Sequence, residues 1–153
     1  AAICGKPITP PVVSGQLDER SAKNIATLHP ILWAIADDFI DECAKQNITI
    51  KIISGLRTYA EQDALFKKGG VTKARGGYSN HNFGIAFDIG LFKAGKYLEE
   101  SPLYAECGTI GERLGLEWGG RWQSFKDEPH FQVKTGFTLA QLRERVRLGK
   151  PIA

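Results

Sequence analysis

His81 and Asp88 lie seven residues apart in Ser79-Asn80-His81-Asn82-Phe83-Gly84-Ile85-Ala86-Phe87-Asp88, and His130 closes the segment Asp127-Glu128-Pro129-His130. Together they offer two imidazoles and one carboxylate. Two neutral nitrogen ligands and one oxygen ligand, with a fourth position left open, form the ligand set of a catalytic zinc site. Ser79, Asn80 and Asn82 surround His81 and are polar enough to orient an imidazole. Asp88 sits in an otherwise apolar run, between Ile85-Ala86-Phe87 and Ile89, where an unpaired carboxylate is costly. The chain has three His in all. The third, His29, precedes Pro30 without such neighbours and reads as structural.

Asp127, three residues before His130, is a spare carboxylate. Zinc lowers the pKa of the water it holds toward ~7, and a carboxylate outside the ligand set can take that proton and pass it to a leaving amine. Glu128 competes for this role. On strand-like backbone adjacent side chains point opposite ways, so one of the two faces the metal and the other is solvated. Arg57, in Ser54-Gly55-Leu56-Arg57-Thr58, follows the first strand. Its guanidinium is suited to a developing oxyanion or a substrate carboxylate, and equally to a surface ion pair. Trp118, Gly119, Gly120 and Trp122 precede Asp127 and either wall a cleft or pack into the core.

The elements that must position these groups follow from periodicity and caps. Residues 1–16, with Pro7, Pro10, Pro11 and Gly15, read as an extended arm, and residues 17–153 as a single domain. Asp18 or Ser21 caps a helix over roughly 20–28, and Pro30 opens a second over roughly 30–46. In that second helix Ile31, Leu32, Ile35, Phe39, Ile40 and Cys43 recur at helical spacing. Ile48 to Ile53 alternates as a strand does. Thr58-x-x-Glu61 opens a short helix to about Lys68. Residues 69–83, rich in Gly, form a long loop. Gly84–Phe92 is a strand, Ser101-Pro102 starts a helix to about Leu114, and Leu116–Trp118 and Pro129–Val133 are short strands. Thr138-x-x-Gln141 caps the last helix. Helices first, then strands with interspersed helices, make an α+β fold: a small, mostly antiparallel sheet, with helices packed around it and the metal site at the sheet.

Bulk properties narrow the classes. A chain of 153 residues with 42% apolar and 24% charged residues buries a sizeable core. Its net charge of +3, from 20 Lys+Arg against 17 Asp+Glu, is mild. It permits attraction to an anionic polymer such as a cell wall and points to no nucleic-acid partner. No run approaches the ~20 apolar residues of a membrane span. Cys4, Cys43 and Cys107 contain no CxxC and cannot build a Cys-rich zinc site; Cys43 and Cys107 read as small buried residues in helices. The chain starts at Ala1 and contains no Met, so its start reads as trimmed.

These residues together resemble the zinc peptidases of the peptidase M15 family over about Ser54 to Phe131. The family pattern SxHxxGxAxD is matched at Ser79, His81, Gly84, Ala86 and Asp88 without a gap. The resemblance implies Zn2+ on His81, Asp88 and His130, the base at Asp127, and Arg57 against the substrate or the oxyanion. Asp rather than Glu at 127, and Lys73-Ala74-Arg75-Gly76-Gly77-Tyr78-Ser79 ahead of His81, are similar to the L-alanyl-D-glutamate endopeptidase branch. The implied activity is hydrolysis of the L-Ala-D-Glu bond in the peptidoglycan stem. One alternative is a D-alanyl-D-alanine carboxypeptidase. Another is a non-catalytic zinc-bearing module, since Hedgehog signalling domains resemble the family too. The expected partners are peptidoglycan stem peptides, and the expected form is a monomer at the cell wall: periplasmic, secreted, or phage-encoded and released at lysis. A chelator should stop activity and zinc restore it, with the metal-free form still folded.

Overall fold

Asp18 starts the first helix. Its carboxylate accepts from the backbone N–H of Ser21 at 2.9 Å and from the Ser21 hydroxyl at 2.6 Å, satisfying donors that a helix start leaves open. Helix α1 then runs Glu19–Thr27. Pro30, with its preset φ and no N–H to satisfy, opens a 3-10 turn, Pro30–Leu32, that continues into α2 (Trp33–Lys45). Leu32, Phe39 and Cys43 of the expected stripe are fully buried, joined by Ala36, while Ile35 and Ile40 are partly buried and Ile31 is exposed. These elements belong to a computed structural model that describes residues 17–153; the arm expected over residues 1–16 and Cys4 lie outside the described residues.

Strand β1 (Thr49–Ser54) leads to α3 (Tyr59–Lys68). Thr58 caps α3, accepting from the Glu61 N–H at 3.1 Å, and Glu61 answers with its carboxylate to the Thr58 hydroxyl at 3.0 Å. A loop then ends in a 3-10 turn, Asn80–Phe83, before β2 (Ala86–Lys93) and β3 (Lys96–Leu98). Next come α4 (Leu103–Arg113), β4 (Glu117–Trp118), β5 (His130–Gln132) and α5 (Leu139–Arg147). Thr138 and Gln141 close a full capping box on α5.

All four strand ladders are antiparallel, in the order β1-β2-β5-β4 with β3 also on β2, so the α+β expectation holds. Strand β2 is central: β1 covers one edge, β5 and β3 share the other. Alternation sorts its side chains. Phe87, Ile89 and Leu91 turn to the core with Phe131 of β5. There Phe131 stands edge-on to Phe39 of α2 at 4.7 Å between centroids and stacks on Phe87 at 6.0 Å. Each such buried ring stabilises the fold by about 1.5–3 kcal/mol. Helix α4 approaches Phe131 closely because Gly111 has no side chain: a Cβ there would meet the ring at 2.7 Å.

A second, smaller cluster joins Phe83, Ile85, Leu142 and Ile152. It pins the 3-10 turn that carries His81 against α5. Cys43 and Cys107 are buried thiols on α2 and α4, with their sulfurs 4.0 Å apart, as expected of small apolar fillers.

Two local features differ from the sequence reading. The β2–β3 hairpin was not expected. It turns through Ala94 and Gly95, both at positive φ (50° and 77°), the requirement of a tight two-residue turn, and Ala at the first position hides the usual Asn-Gly or Asp-Gly signal. The long loop also stops at Ser79 rather than 83, because Ser79 and Asn82 form a capping box for the 3-10 turn. Among the described residues no helix is long and apolar enough to cross a membrane.

Candidate metal centre and its cleft

Register brings two of the three groups together. Asp88 of β2 is the direct cross-strand partner of His130 on β5 and of Ser54 on β1, where a bulge between Ile52 and Ser54 shifts the ladder. Such partners carry their Cβ atoms about 5 Å apart. His130 and Gln132 point to the same face as Asp88, with Phe131 between them pointing to the core. His81 arrives from the 3-10 turn. Gly84 ends that turn at φ 69°, and a Cβ there would press on the His29 backbone nitrogen at 2.8 Å. Ser79 and Gly84 of the motif thus aim the imidazole without touching the site chemistry.

His81 Nε2 lies 3.4 Å from Asp88 Oδ2, and His130 Nδ1 lies 3.4 Å from Asp88 Oδ1. Ligand atoms of all three residues fall within 4.8 Å of one another. The far nitrogens are engaged elsewhere. His81 Nδ1 donates to the Gly55 carbonyl at 3.0 Å, and His130 Nε2 donates to Gln132 Oε1 at 2.8 Å. Asn80 Nδ2 holds the same Gln132 oxygen at 2.8 Å. These bonds set both tautomers so that the lone pairs of His81 Nε2 and His130 Nδ1 face the carboxylate.

Three acceptors therefore converge with no donor among them. Asp88 Oδ1 is buried without a hydrogen-bond partner, a costly arrangement unless a cation sits there. A tetrahedral zinc with ligands at about 2.0–2.1 Å separates its ligand atoms by about 3.4 Å, so the residues present fit that ion. Burial would raise the pKa of Asp88, but His130 and His81 outweigh it and hold the carboxyl below its ordinary range. Burial would lower that of His130, but Asp88 and then Gln132 outweigh it and raise it.

An open cleft of about 350 Å³ adjoins the cluster, lined among others by Arg57, Thr72, Trp122 and Asp127. The Asp127 carboxylate stands 4.0 Å from His130 Nδ1. Burial, then the charge of Asp88, raises its pKa above the ordinary carboxylate value. Glu128 faces solvent. The backbone at 127–128 is a turn rather than a strand, closed by the His130 N–H on the Asp127 carbonyl at 3.1 Å. Gly119 lets this turn in close: a Cβ there would strike the Asp127 carbonyl oxygen at 2.4 Å. The two tryptophans part company. Trp122 lies on the cleft wall, its ring 5.0 Å from that of His130. Trp118 is buried, donates to the Glu128 carbonyl at 2.8 Å, and packs against Gly108 and Gly120. His29 lies outside the cluster; its Nδ1 accepts from the Ile31 N–H at 3.1 Å and caps the Pro30 turn.

Arg57 is no surface ion pair. Its Nη1 donates to Gln62 Oε1 at 2.9 Å. Gln62 is 0% exposed and spends its amide on the Thr72 hydroxyl and the Ala74 carbonyl at 3.1 and 2.9 Å. The Arg57 backbone donates to the His81 carbonyl at 3.0 Å and accepts from Asn82 Nδ2 at 2.9 Å. Gln62, Gln132 and the Gly55 carbonyl escaped the sequence reading. Gln132 shares strand parity with His130 and was findable; nothing local marks the other two.

A small antiparallel sheet that turns two imidazoles and a carboxylate toward one open cleft defines a metallopeptidase-like domain. Residues 72–133 match a peptidase M15 family profile described as D-alanyl-D-alanine carboxypeptidase. The Bacillus subtilis peptidoglycan L-alanyl-D-glutamate endopeptidase CwlK is 38% identical over 122 residues, covering 69% of this chain and 73% of that protein. An L-alanyl-D-glutamate peptidase of a Listeria phage is 31% identical over 117 residues, covering 74% of this chain; the chain spans 40% of that relative's length. Among solved structures, the Serratia marcescens L-Ala D-Glu endopeptidase ChiX superposes with a TM-score of 0.60 at 28% identity, covering 77% of this chain and 89% of that one. VanYB in complex with D-alanine-D-alanine shares the fold, with a TM-score of 0.54 at 17% identity over 92% of this chain and 89% of that one. The chain belongs to the peptidase M15 family.

Proposed function

We propose that residues 17–153 form one catalytic domain, a monomeric zinc peptidase that hydrolyses the L-Ala-D-Glu bond of the peptidoglycan stem. The observation that carries this reading is the convergence of three acceptor-only groups, His81, Asp88 and His130, on the floor of an open cleft. Those three would hold the zinc. Once bound, zinc supplies Lewis acidity, lowering the pKa of water toward ~7 and polarising a carbonyl.

The chain's own groups do the rest. Asp127 takes the proton from the attacking water and carries it to the nitrogen of the leaving amine. Its raised pKa suits both steps: a stronger base accepts more readily, and the resulting acid lies nearer working pH. Arg57, braced by Gln62, presents positive charge where the carbonyl oxygen becomes negative. Trp122 walls the cleft.

The cleft favours cleavage within a chain over trimming at its end. It continues past the metal cluster into a second cavity of about 690 Å³ that shares Val71, Thr72, Trp122 and Asp127 with the first, a larger space than a single terminal residue needs. The relatives above 25% identity are named for the same L-Ala-D-Glu cleavage. The place of action is the cell wall, reached from the periplasm, by secretion, or by release at phage lysis.

Digestion of purified peptidoglycan with and without a chelator, followed by mass spectrometry, tests this. New N-terminal D-Glu fragments, lost on chelation, are expected. Asp127→Asn should slow their release by about 10²–10⁴-fold with zinc loading intact. Because the Asp127 pKa is raised, the rate should fall with decreasing pH before an ordinary carboxylate, at about 3.9, would titrate. Free D-Ala as the product would make the protein a carboxypeptidase. No product from any wall, with zinc bound in full, would make it a non-catalytic module.

A further inference from the structure

We infer that the second cavity is an anion subsite in which Lys73 and Lys126 read the free carboxylate of the glutamate next to the scissile bond. The inference rests on the endopeptidase reading above and names a specificity determinant within it.

The cavity lies between the loop Gly70–Ala74 and the segment Trp122–Asp127. Lys73 and Lys126 are its cationic residues, one on each wall, and Asp127, at the junction with the metal cluster, is its one acidic residue. Arg57 faces the adjoining cleft. Beyond the base, the channel is therefore positive. Neither lysine is in an ion pair with another described residue, so neither positive charge is neutralised by a carboxylate there.

Phe125 adds a second observation. It is 69% exposed and adopts φ 56°, a conformation strained for a bulky residue. Its ring lies on the cavity wall, where Lys73 Nζ lies 4.1 Å from the ring centroid. This contact spans the two walls and favours one position for the ammonium group.

The substrate supplies the matching charge. A glutamate acylated on its amine has two carboxyl groups, and the next peptide bond uses only one. A free carboxylate therefore lies within one residue of an L-Ala-D-Glu bond. A channel that begins at Asp127 and turns positive is suited to receive that charge. A stem whose free carboxylate is converted to the amide presents no charge there.

The test compares two synthetic stem peptides, identical except that the free glutamate carboxylate is amidated in one. The wild-type protein should cleave the carboxylate form about tenfold better in kcat/KM. In K73Q/K126Q that preference should shrink to about unity, with KM for the carboxylate peptide raised more than kcat is lowered. Amidated-peptide kinetics, zinc content and the thermal melt of the same variant separate lost recognition from misfolding. Equal wild-type rates on the two peptides, or a preference that survives in K73Q/K126Q, would overturn the subsite while leaving the endopeptidase reading intact. A wild-type protein that cuts neither peptide at L-Ala-D-Glu would overturn both.

Discussion

Phe87 and Asp88 are neighbours on β2, and Phe131 and His130 are neighbours on β5, yet the two members of each pair live in different chemistry. The two phenyl rings stack on each other and meet Phe39 edge-on or tilted on the core face, packed by α2 and α4. The carboxylate and imidazole meet on the opposite face, where Gln132 holds His130 and Asn80 holds Gln132, while the Gly55 carbonyl holds the His81 ring beside them. The core face is held by apolar area, which is non-directional and tolerant of small shifts. The site face is held by single hydrogen bonds whose loss leaves a buried polar atom unpaired. One sheet thus carries stability on one side and reactivity on the other, and substitutions on the two sides should fail in different ways.

The largest separation is expected from Asp88→Ala. Zinc should be absent by elemental analysis and wall digestion undetectable, while circular dichroism still reports a folded domain, because the core lies on the other face and a chain of 153 residues does not need the metal to bury it. An unfolded chain, from this variant or from chelation alone, would show that the two faces are not independent. Phe131→Ala is the mirror experiment. Denaturant titration should show a loss of about 3–5 kcal/mol, with zinc still loading the folded fraction; a loss below ~1 kcal/mol would mean that Gly111 and Phe39 close over the gap.

Smaller effects sharpen the contrast. Gln132→Ala leaves every zinc-facing atom in place and removes the acceptor that sets the His130 tautomer and also holds Asn80. Zinc affinity should drop about 10–100-fold in a competition titration with a chromophoric chelator, with little change in the melt. Unchanged affinity would remove Gln132 from the account.

The smallest effect belongs to the helices over the core face. Asp37 on α2 is buried, and its pKa is raised by desolvation, then by Asp41 and Asp38. The folded state therefore binds this proton more tightly than the unfolded one. Asp37 opposes folding above its folded-state value, and the penalty is relieved as pH falls through that value. Asp37→Asn should raise the melting temperature by about 2 °C at pH 7, and the gain should vanish well below the ordinary carboxyl value of about 3.9, where the group is neutral in both states. A pH-independent gain would point to a cause other than charge.

Much of this organisation was legible in the chain because it is local. The caps at Asp18, Thr58 and Thr138 act within three residues. The alternation of β2 placed Asp88 on the face opposite Phe87 and Ile89. The motif from Ser79 to Asp88 placed a loop before a strand, although the 3-10 turn and the left-handed cap at Gly84 emerged only in the fold. What stayed hidden is long-range. Arg57 could be named as a candidate, but its brace, Gln62, could not, because the partners of a buried amide are supplied by a loop ten or more residues away. The two tryptophans looked interchangeable until the fold assigned them.

By itself, the sequence determined which donor atoms exist, which residues share a strand face, and where helices start, since side-chain chemistry and backbone parity depend on near neighbours alone. The tertiary structure decided which donors meet. The β2–β5 register sets Asp88 opposite His130, and a shift of one residue would turn Phe131 to the cleft and His130 to the core. It also decided which tryptophan sees the substrate. Trp118 fills the space left by Gly108 and Gly120, where a Cβ would strike the indole at 2.3 and 2.1 Å, and Trp122 is left to face the cleft. Such close approaches between distant segments depend on the packing of the whole domain, and no local pattern encodes them.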